Sequence, residues 1–523
     1  MNRSRLALAS LLLLVVGFGG TMSSTSASFT AAASTPANSI NTGALEDPQP
    51  NADPVTFDSV TLTWNAAPTG GATPTYSVTR SNADGTDPTT IYTGADTTYT
   101  DRGDIPAELK SRDIIAVSTG GFHSLALDSD HNVYAWGWNG NGQLGTGDRI
   151  NRATPTRISF PTGVTITSLA AGGLHSLALG SDHNVYAWGW NGNGLLGTGD
   201  RIDRTTPTRI GFPTGAAITS LVAGSSHSLA LDSDHNVYAW GDNGNGKLGT
   251  GDRNDRMTPT AITFPTGVTI TSLAAGTNHS LALTTDHAVY AWGDNSNGQL
   301  GTGDRDSRTT PTAITFPTGI SITSLAAGRN HSLALDADHN VYAWGWNGYG
   351  QLGTGDRTGK PTPTPITFPT GVTIASIGAS NDHSLATDTA HNAYAWGNNG
   401  NKQLGTGGRI DRTTPTRITF PTGVTITSLA AGSYQSLALT TDHNVYAWGS
   451  NAYGQLGTGD RTDRPTPAPV DMTYRACPAR SVLRADGTTC SLRSDHSYRY
   501  TVTTTLGGWT HTSVPLIVPI LAR

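Results

Sequence analysis

The chain has 523 residues, among them 63 glycines and 28 prolines, with 13% charged residues and a formal net charge of −6. That length exceeds one compact domain, and only four lysines leave no basic footprint for nucleic acid. Glutamate occurs twice, at Glu46 and Glu108, and Thr, Val, Gly and Asn abound, which argues against a helical protein and for an all-β one.

In chain order, Arg3 and Arg5 precede an apolar run from Leu6 to Gly20 and then small residues, the order of a secretory signal peptide over 1–27. Export is therefore expected, and the run is too short for the ~20 apolar residues of a membrane span. Residues 28–53, rich in Ala, Ser, Thr, Pro and Asn, read as a flexible leader. Alternating strand patterns follow over 55–103, at Val60–Trp64, Tyr76–Thr79 and Thr98–Asp101.

From 111 to 474 the chain repeats. Ala-Trp-Gly recurs with its indole at Trp136, Trp188, Trp240, Trp292, Trp344, Trp396 and Trp448, each 52 residues from the last. One unit reads as four short strands: Val164–Ala171, Ser176–Leu179, Val185–Trp188 and Pro207–Phe212, with a long Gly/Asn loop before the last. So small a sheet cannot bury both of its faces, and stacking seven into a closed ring supplies the missing contacts. The repeated tryptophan is expected to fill the space between adjacent blades. Beyond the repeats, Cys477 and Cys490, the only cysteines, suit a disulfide closing a connector over 475–490 in an exported chain, worth about 2–3 kcal/mol. Strand patterns return within 486–523.

The segments Gly172-x-x-His175-Ser176-Leu177-Ala178-Leu179, Val185-Tyr186-Ala187-Trp188-Gly189-x-Asn191 and Leu196-Gly197-Thr198-Gly199 resemble the regulator of chromosome condensation repeat. The resemblance implies a seven-bladed β-propeller. Blade six departs most, with Ser380 and Lys402 for glycines and Gly408 for aspartate; blade seven has Gln435 for histidine. The flanks resemble a fibronectin type III sandwich: 55–103 its early strands, and 486–523 its last two, with Leu492 and Tyr498 at the tyrosine-corner spacing. The expected fold is thus a seven-bladed propeller inserted into one sandwich shared by both flanks.

Strand parity puts the turn after strand one and the loop after strand three on one face. That face varies between units. One position holds Phe122, Leu174, Ser226, Asn278, Asn330, Asp382 and Tyr434; another holds Trp138, Trp190, Asp242, Asp294, Trp346, Asn398 and Ser450; Tyr349 and Tyr453 replace asparagines nearby. Aromatic and acidic variation on a constant scaffold points to a binding surface. Two histidine series, beginning at His123 and His131, are spread around a ring and are expected to make structural hydrogen bonds, not a metal site. Asp128-Ser-Asp130-His-Asn132 lacks the glycine and final acid of a calcium loop. The Gly-Thr-Gly-Asp-Arg segments lack a phosphate loop's lysine and helix context, and their Asp and Arg are expected either to brace the long loop or simply to face solvent.

No nucleophile elbow, free cysteine nucleophile or metalloprotease helix occurs, and every candidate pair in the propeller is repeated, so a non-enzymatic protein without cofactor or metal is expected. The leading expectation is an exported, monomeric binding propeller whose partner is an extracellular protein or cell-surface polymer, in the manner of secreted β-lactamase-inhibiting propellers of similar architecture. Guanine-nucleotide exchange, the activity of the family's namesake, is the first alternative; a polysaccharide hydrolase or lyase and a cell-surface spacer are the others.

Overall fold

The computed structural model describes residues 110–473 with their side chains, most of 75–81 and 88–96 likewise, and elsewhere the strands of the two flanks. The chain divides into two compact units, 112–472 and the joined flanks 1–111 with 473–523. Among the described residues no helix is long and apolar enough to cross a membrane.

The unit 112–472 is seven four-stranded antiparallel sheets, each continuous in sequence. The second blade runs Ile166–Ala171, His175–Gly180, Val185–Gly189 and Arg204–Ile210. Its fourth strand begins three residues before the expected Pro207, because Arg204 pairs with Gly189 across an irregularity in the ladder. The second and third strands are buried on both sides, since both faces of each sheet meet a neighbouring blade. Small Ala178 and Ala187 allow that close approach.

Each tryptophan fills the inter-blade space. Trp188 is fully buried among Leu125, Leu127, Val133, Ala135, Leu144 and Ile158 of the preceding blade. Its indole N–H donates to the carbonyl of Gln143 at 2.9 Å. Phe160, from the turn leading into blade two, meets Tyr186 and Trp188 edge-on, at 5.7 and 5.8 Å between centroids. The ring closes without strand exchange: Ile114, Ala126, Tyr134 and Trp136 of blade one pack on Leu437, Leu439, Val445 and Val470 of blade seven. Closure therefore rests on side-chain packing, the same that joins every other blade pair.

In the flank unit, Thr75–Asn82 pairs antiparallel with Ser497–Leu506, Val78 opposite Val502, so segments some 420 residues apart share one sheet. Thr89–Gly94 lies beyond Thr75–Asn82, and Leu516–Pro519 and Trp509–Thr512 both pair with Ser497–Leu506. A second sheet joins Asn38–Ser39, Thr30–Thr35, Ser59–Thr63 and Thr98–Asp101 in that order. The expectation of a wholly flexible leader over 28–53 is thereby corrected: Thr30–Thr35, made of residues compatible with extended backbone, pairs with five residues of Ser59–Thr63. The span 475–490 likewise contains strand, since Ser481–Leu483 pairs with Thr489–Leu492. Glu108–Ser111 and Thr473–Ala476, the strands bounding the propeller, pair antiparallel. The signal segment 1–27 and Cys477, hence the Cys477–Cys490 pairing, lie outside the described residues.

Candidate functional site

The face formed by the turns after strand one and the loops after strand three is built on three repeated devices. Around the axis the turns hydrogen-bond from blade to blade, Gly121 N to Gly172 O, Gly173 N to Gly224 O, Ser225 N to Gly276 O and Thr277 N to Gly328 O, at 3.2–3.3 Å. Glycine is required there because a Cβ on Gly276 would lie 2.2 Å from the carbonyl oxygen of Gly328. Blade six carries Ser380 instead; Arg329 N bonds Asn381 O, and Asn381 N has no such bond to blade seven. These turns line a small axial cavity of about 90 Å³.

The second device is the first histidine series. His123 Nε2 lies 2.8 Å from Ser176 Oγ of the next blade. That hydroxyl donates to Gln143 O at 2.9 Å, so it accepts from the imidazole N–H. The Nδ1 atoms of His123, His175, His227, His279, His331 and His383 are buried without a partner. Burial holds the His123 imidazole down at about 3, with a smaller push from His175, and burial alone lowers His175 to about 4. These rings are neutral struts. Gln435, their counterpart in blade seven, donates to Gly120 O and His123 O.

The third device folds the long loop. Asn191 Nδ2 reaches Thr198 Oγ1, Asp200 Oδ1 and two carbonyls, while its Oδ1 accepts from Leu196 N. Asp200 also accepts from Thr198 Oγ1, Ile202 N and Arg204 Nη2, and those bonds hold its carboxyl below the usual range against the opposing effect of desolvation. Arg201 donates to Gly192 O and reaches Asp255 of the next blade. The Asp-Arg pairs brace the loop, as the sequence suggested. In blade six Gly408 removes the acceptor, and Thr406 Oγ1 and Arg412 Nε are buried unpartnered.

On the opposite face the second histidine series also serves structure. His131 adopts φ 63° at its hairpin and its Nδ1 lies 2.9 Å from Ile166 O of the next blade. Asp128 is occupied by Asn132 and Tyr134. Among the described residues, no group of three or more His, Cys, Asp or Glu is placed to hold a metal ion.

The variable side chains fall into separate groups. Phe122 stacks on Tyr434 at 5.2 Å and meets Trp138 and Tyr453 edge-on at 6.2 and 5.5 Å, an aromatic cluster across the seam of blades one and seven. Tyr453 is 39% exposed. Ile150, Ile202 and Ile410, on the same loops of blades one, two and six, are 64, 65 and 69% exposed. Trp190 stands apart, lying over Gly192 in blade two, with Leu174 O accepting from its backbone N–H. Trp346 and Tyr349 pair edge-on at 5.1 Å in blade five.

The acidic members are largely engaged. Asp242 is bound by the ammonium of Lys247 at 2.5 Å and by Ser226 Oγ; Lys247, 1% exposed, also donates to Asn278 Oδ1 at 3.2 Å. Asp294 accepts from Gln299 Nε2. Asp382 differs: its Oδ1 is buried without a partner, and burial pushes its carboxyl up, partly opposed by Arg329. The exposed isoleucines, Lys247 and Arg329 were not singled out from sequence. Aligning the units shows the signal, since Lys247 and Leu195 interrupt a series of Gln143, Gln299, Gln351, Gln403 and Gln455, and Lys247 alone brings a charge.

The RCC1-like domain model matches residues 211–498, and the regulator of chromosome condensation (RCC1) repeat model matches 130–179 and 182–231. The chain is 36% identical over 361 residues to the Ultraviolet-B receptor UVR8 of Arabidopsis thaliana, covering 69% of this chain and 82% of that one. It is 30% identical over 340 residues to the E3 ubiquitin-protein ligase HERC2 of Homo sapiens, covering 64% of this chain but only 7% of HERC2. Among solved structures, that of Kap60 bound to yeast RCC1 (Prp20) matches with TM-score 0.59 and 26% identity, over 65% of this chain and 83% of that one.

Proposed function

The chain belongs to the regulator of chromosome condensation (RCC1) repeat family, and from that premise we propose that its propeller is a protein-binding module that works through the varied loop face. The observation carrying this reading is the cluster of Phe122, Trp138, Tyr434 and Tyr453, four rings gathered from two blades at the partly exposed surface. Tyrosine and tryptophan are the anchors that dominate protein interfaces. Exposed Ile150, Ile202 and Ile410 add apolar side chains on blades one, two and six, while blades three, four, five and seven carry Asn254, Asp306, Thr358 and Thr462 at that position. The solved complex of yeast RCC1 with Kap60 is a precedent for a relative binding a protein.

We propose further that the protein is exported and non-enzymatic. Export rests on the order of charge, apolar run and small residues over 1–27. The absence of catalysis is supported by the engagement of the repeated His, Asp and Arg groups in scaffold bonds. The flanks are read as one fibronectin type III-like sandwich, supported by a sheet of Thr30–Thr35, Asn38–Ser39, Ser59–Thr63 and Thr98–Asp101 and a separate sheet that joins Thr75–Asn82 and Thr89–Gly94 to Ser497–Leu506.

A photo-crosslinking residue at Trp138, compared with one at Thr162 on the opposite face, tests the binding face in culture fluid. The expected result is one discrete protein adduct from position 138 and none from 162. Identical adducts from both positions, or none from 138, refute the reading. Sequencing the N-terminus of protein recovered from the medium tests export.

A further inference from the structure

The internal repeat supplies its own reference for a second site. In blade three, Lys247 places its ammonium among Asp242 Oδ2, Ser226 Oγ, Asn278 Oδ1 and the Thr277 carbonyl, at 2.5–3.5 Å. Two repeats of 52 residues later, the same positions are Gln351, Trp346, Asn330, Asp382 and Asn381. Glutamine is shorter than lysine, and the indole of Trp346 stands where the acceptor Asp242 stood. Gln351 Nε2, a donor, and Asp382 Oδ1, an acceptor, are both buried and both without a partner. Their backbones adjoin: a Cβ on Gly397 would lie 2.6 Å from Asp382 O and 3.1 Å from Gln351 Cα.

The amide orientation of Gln351 is fixed, because its Oε1 accepts from Tyr349 N at 3.0 Å. Gln143 Nε2 and Gln455 Nε2 are also unpartnered, but Leu174 and Phe122 occupy the position that Asp382 holds here. Among the described residues, only the junction of blades five and six matches an unpartnered glutamine Nε2 with an unpartnered carboxylate oxygen at these equivalent positions.

The chemistry of the pair selects its ligand. An ammonium satisfies Asp382 but turns a second donor toward Gln351 Nε2. A carboxylate satisfies Gln351 and is repelled by Asp382. A hydroxyl donates to one and accepts from the other. Beside the pair lie Trp346 and Tyr349, the latter 36% exposed, rings on which the C–H face of a sugar can rest. Burial pushes the Asp382 carboxyl up and exposed Arg329 only partly opposes it, which disfavours a cationic ligand. Asp382 and Trp346 are half-buried and Gln351 is fully buried, so a ligand reaches the pair only when one of the two half-buried side chains turns aside. We propose that the notch between blades five and six binds a neutral saccharide, one hydroxyl bridging Gln351 Nε2 and Asp382 Oδ1 and the ring lying against Trp346 and Tyr349. The inference is independent of the protein-partner reading, which is carried by the aromatic cluster of blades seven and one.

The full chain is titrated calorimetrically with malto-, cello-, chito- and manno-hexaose. At least one is expected to bind saturably. D382A should weaken it about tenfold, the effect of losing one buried hydrogen-bond partner. D382N, which keeps an acceptor oxygen, should retain most of the affinity, and Y349A should weaken it several-fold. T214A, on the opposite face, should bind as the unaltered protein does. Failure of all four sugars to bind, affinity unaffected by D382A, or saturable binding of n-butylammonium at Asp382 in their place would each overturn the proposal.

Discussion

Restoring the missing aspartate of blade six, Gly408→Asp, is predicted to stabilise the propeller. In blade seven the equivalent Asp460 accepts from Asn451 Nδ2, Thr458 Oγ1, Thr462 N and Arg464 Nη2, at 3.1, 3.0, 3.1 and 2.6 Å. In blade six, Asn399 Nδ2 reaches only Gly408 O, and Thr406 Oγ1 and Arg412 Nε are buried unpartnered. The site has room, since a Cβ on Gly408 meets nothing within 4 Å and its φ is ordinary. Satisfying the orphaned Thr406 Oγ1 and giving the Arg412 guanidinium the Nη2 acceptor that Arg464 has in blade seven is worth about 1 kcal/mol each, at the low end because the pocket is partly open. Removing a glycine from the unfolded chain adds about 0.5 kcal/mol, and the half-exposed Asp–Arg pair adds little. The total is about 2–3 kcal/mol, or a melting temperature higher by about 3 °C for a unit of this size. Scanning calorimetry of G408D reads it, with D460G as the reverse change expected to lose a similar amount. An unchanged or lower melting temperature in G408D, with D460G also neutral, would refute the claim that this carboxylate organises the loop.

Acid sensitivity should follow from the buried histidines. Unfolded imidazoles protonate near 6.5, whereas burial holds His175 at about 4, so between those values the unfolded chain binds more protons and stability falls as pH drops. H175Q, which copies the Gln435 of blade seven, should cut that loss by about 2 kcal/mol at pH 5, read by denaturant titrations at pH 5 and 8. G276A, which drives a Cβ to 2.2 Å from Gly328 O, should destabilise by about 3 kcal/mol in urea unfolding. K247Q should cost less than about 1 kcal/mol, because Gln299 shows that glutamine can reach the carboxylate of its own blade; K247A should cost about 2 kcal/mol by removing the cation from Asp242, which keeps Ser226 Oγ and Gly244 N.

Much of this was legible from one dimension. The 52-residue period, the tryptophan between blades, the histidine struts and the loop-bracing Asp-Arg pairs all follow from residues that recur, because a recurring residue does a recurring job in every unit. Strand parity also sufficed to assign the varied positions to one face. What repetition could not supply was how unlike residues meet. That Phe122 stacks on Tyr434, 312 positions away, depends on closure of the ring, which brings blade seven against blade one. That Asp242 is spent on Lys247 while Asp382 Oδ1 has no partner depends on which side chain the adjoining blade sends across. The strand in 28–53 was missed for a related reason: a weakly patterned Thr-Ala-Ala-Ala-Ser-Thr segment becomes a strand only when Ser59–Thr63 lies alongside to take its hydrogen bonds. Local sequence dictates the wedge, because short-range packing and turn chemistry are the same in each copy; the differences between wedges acquire meaning only where the closed ring sets one against the next.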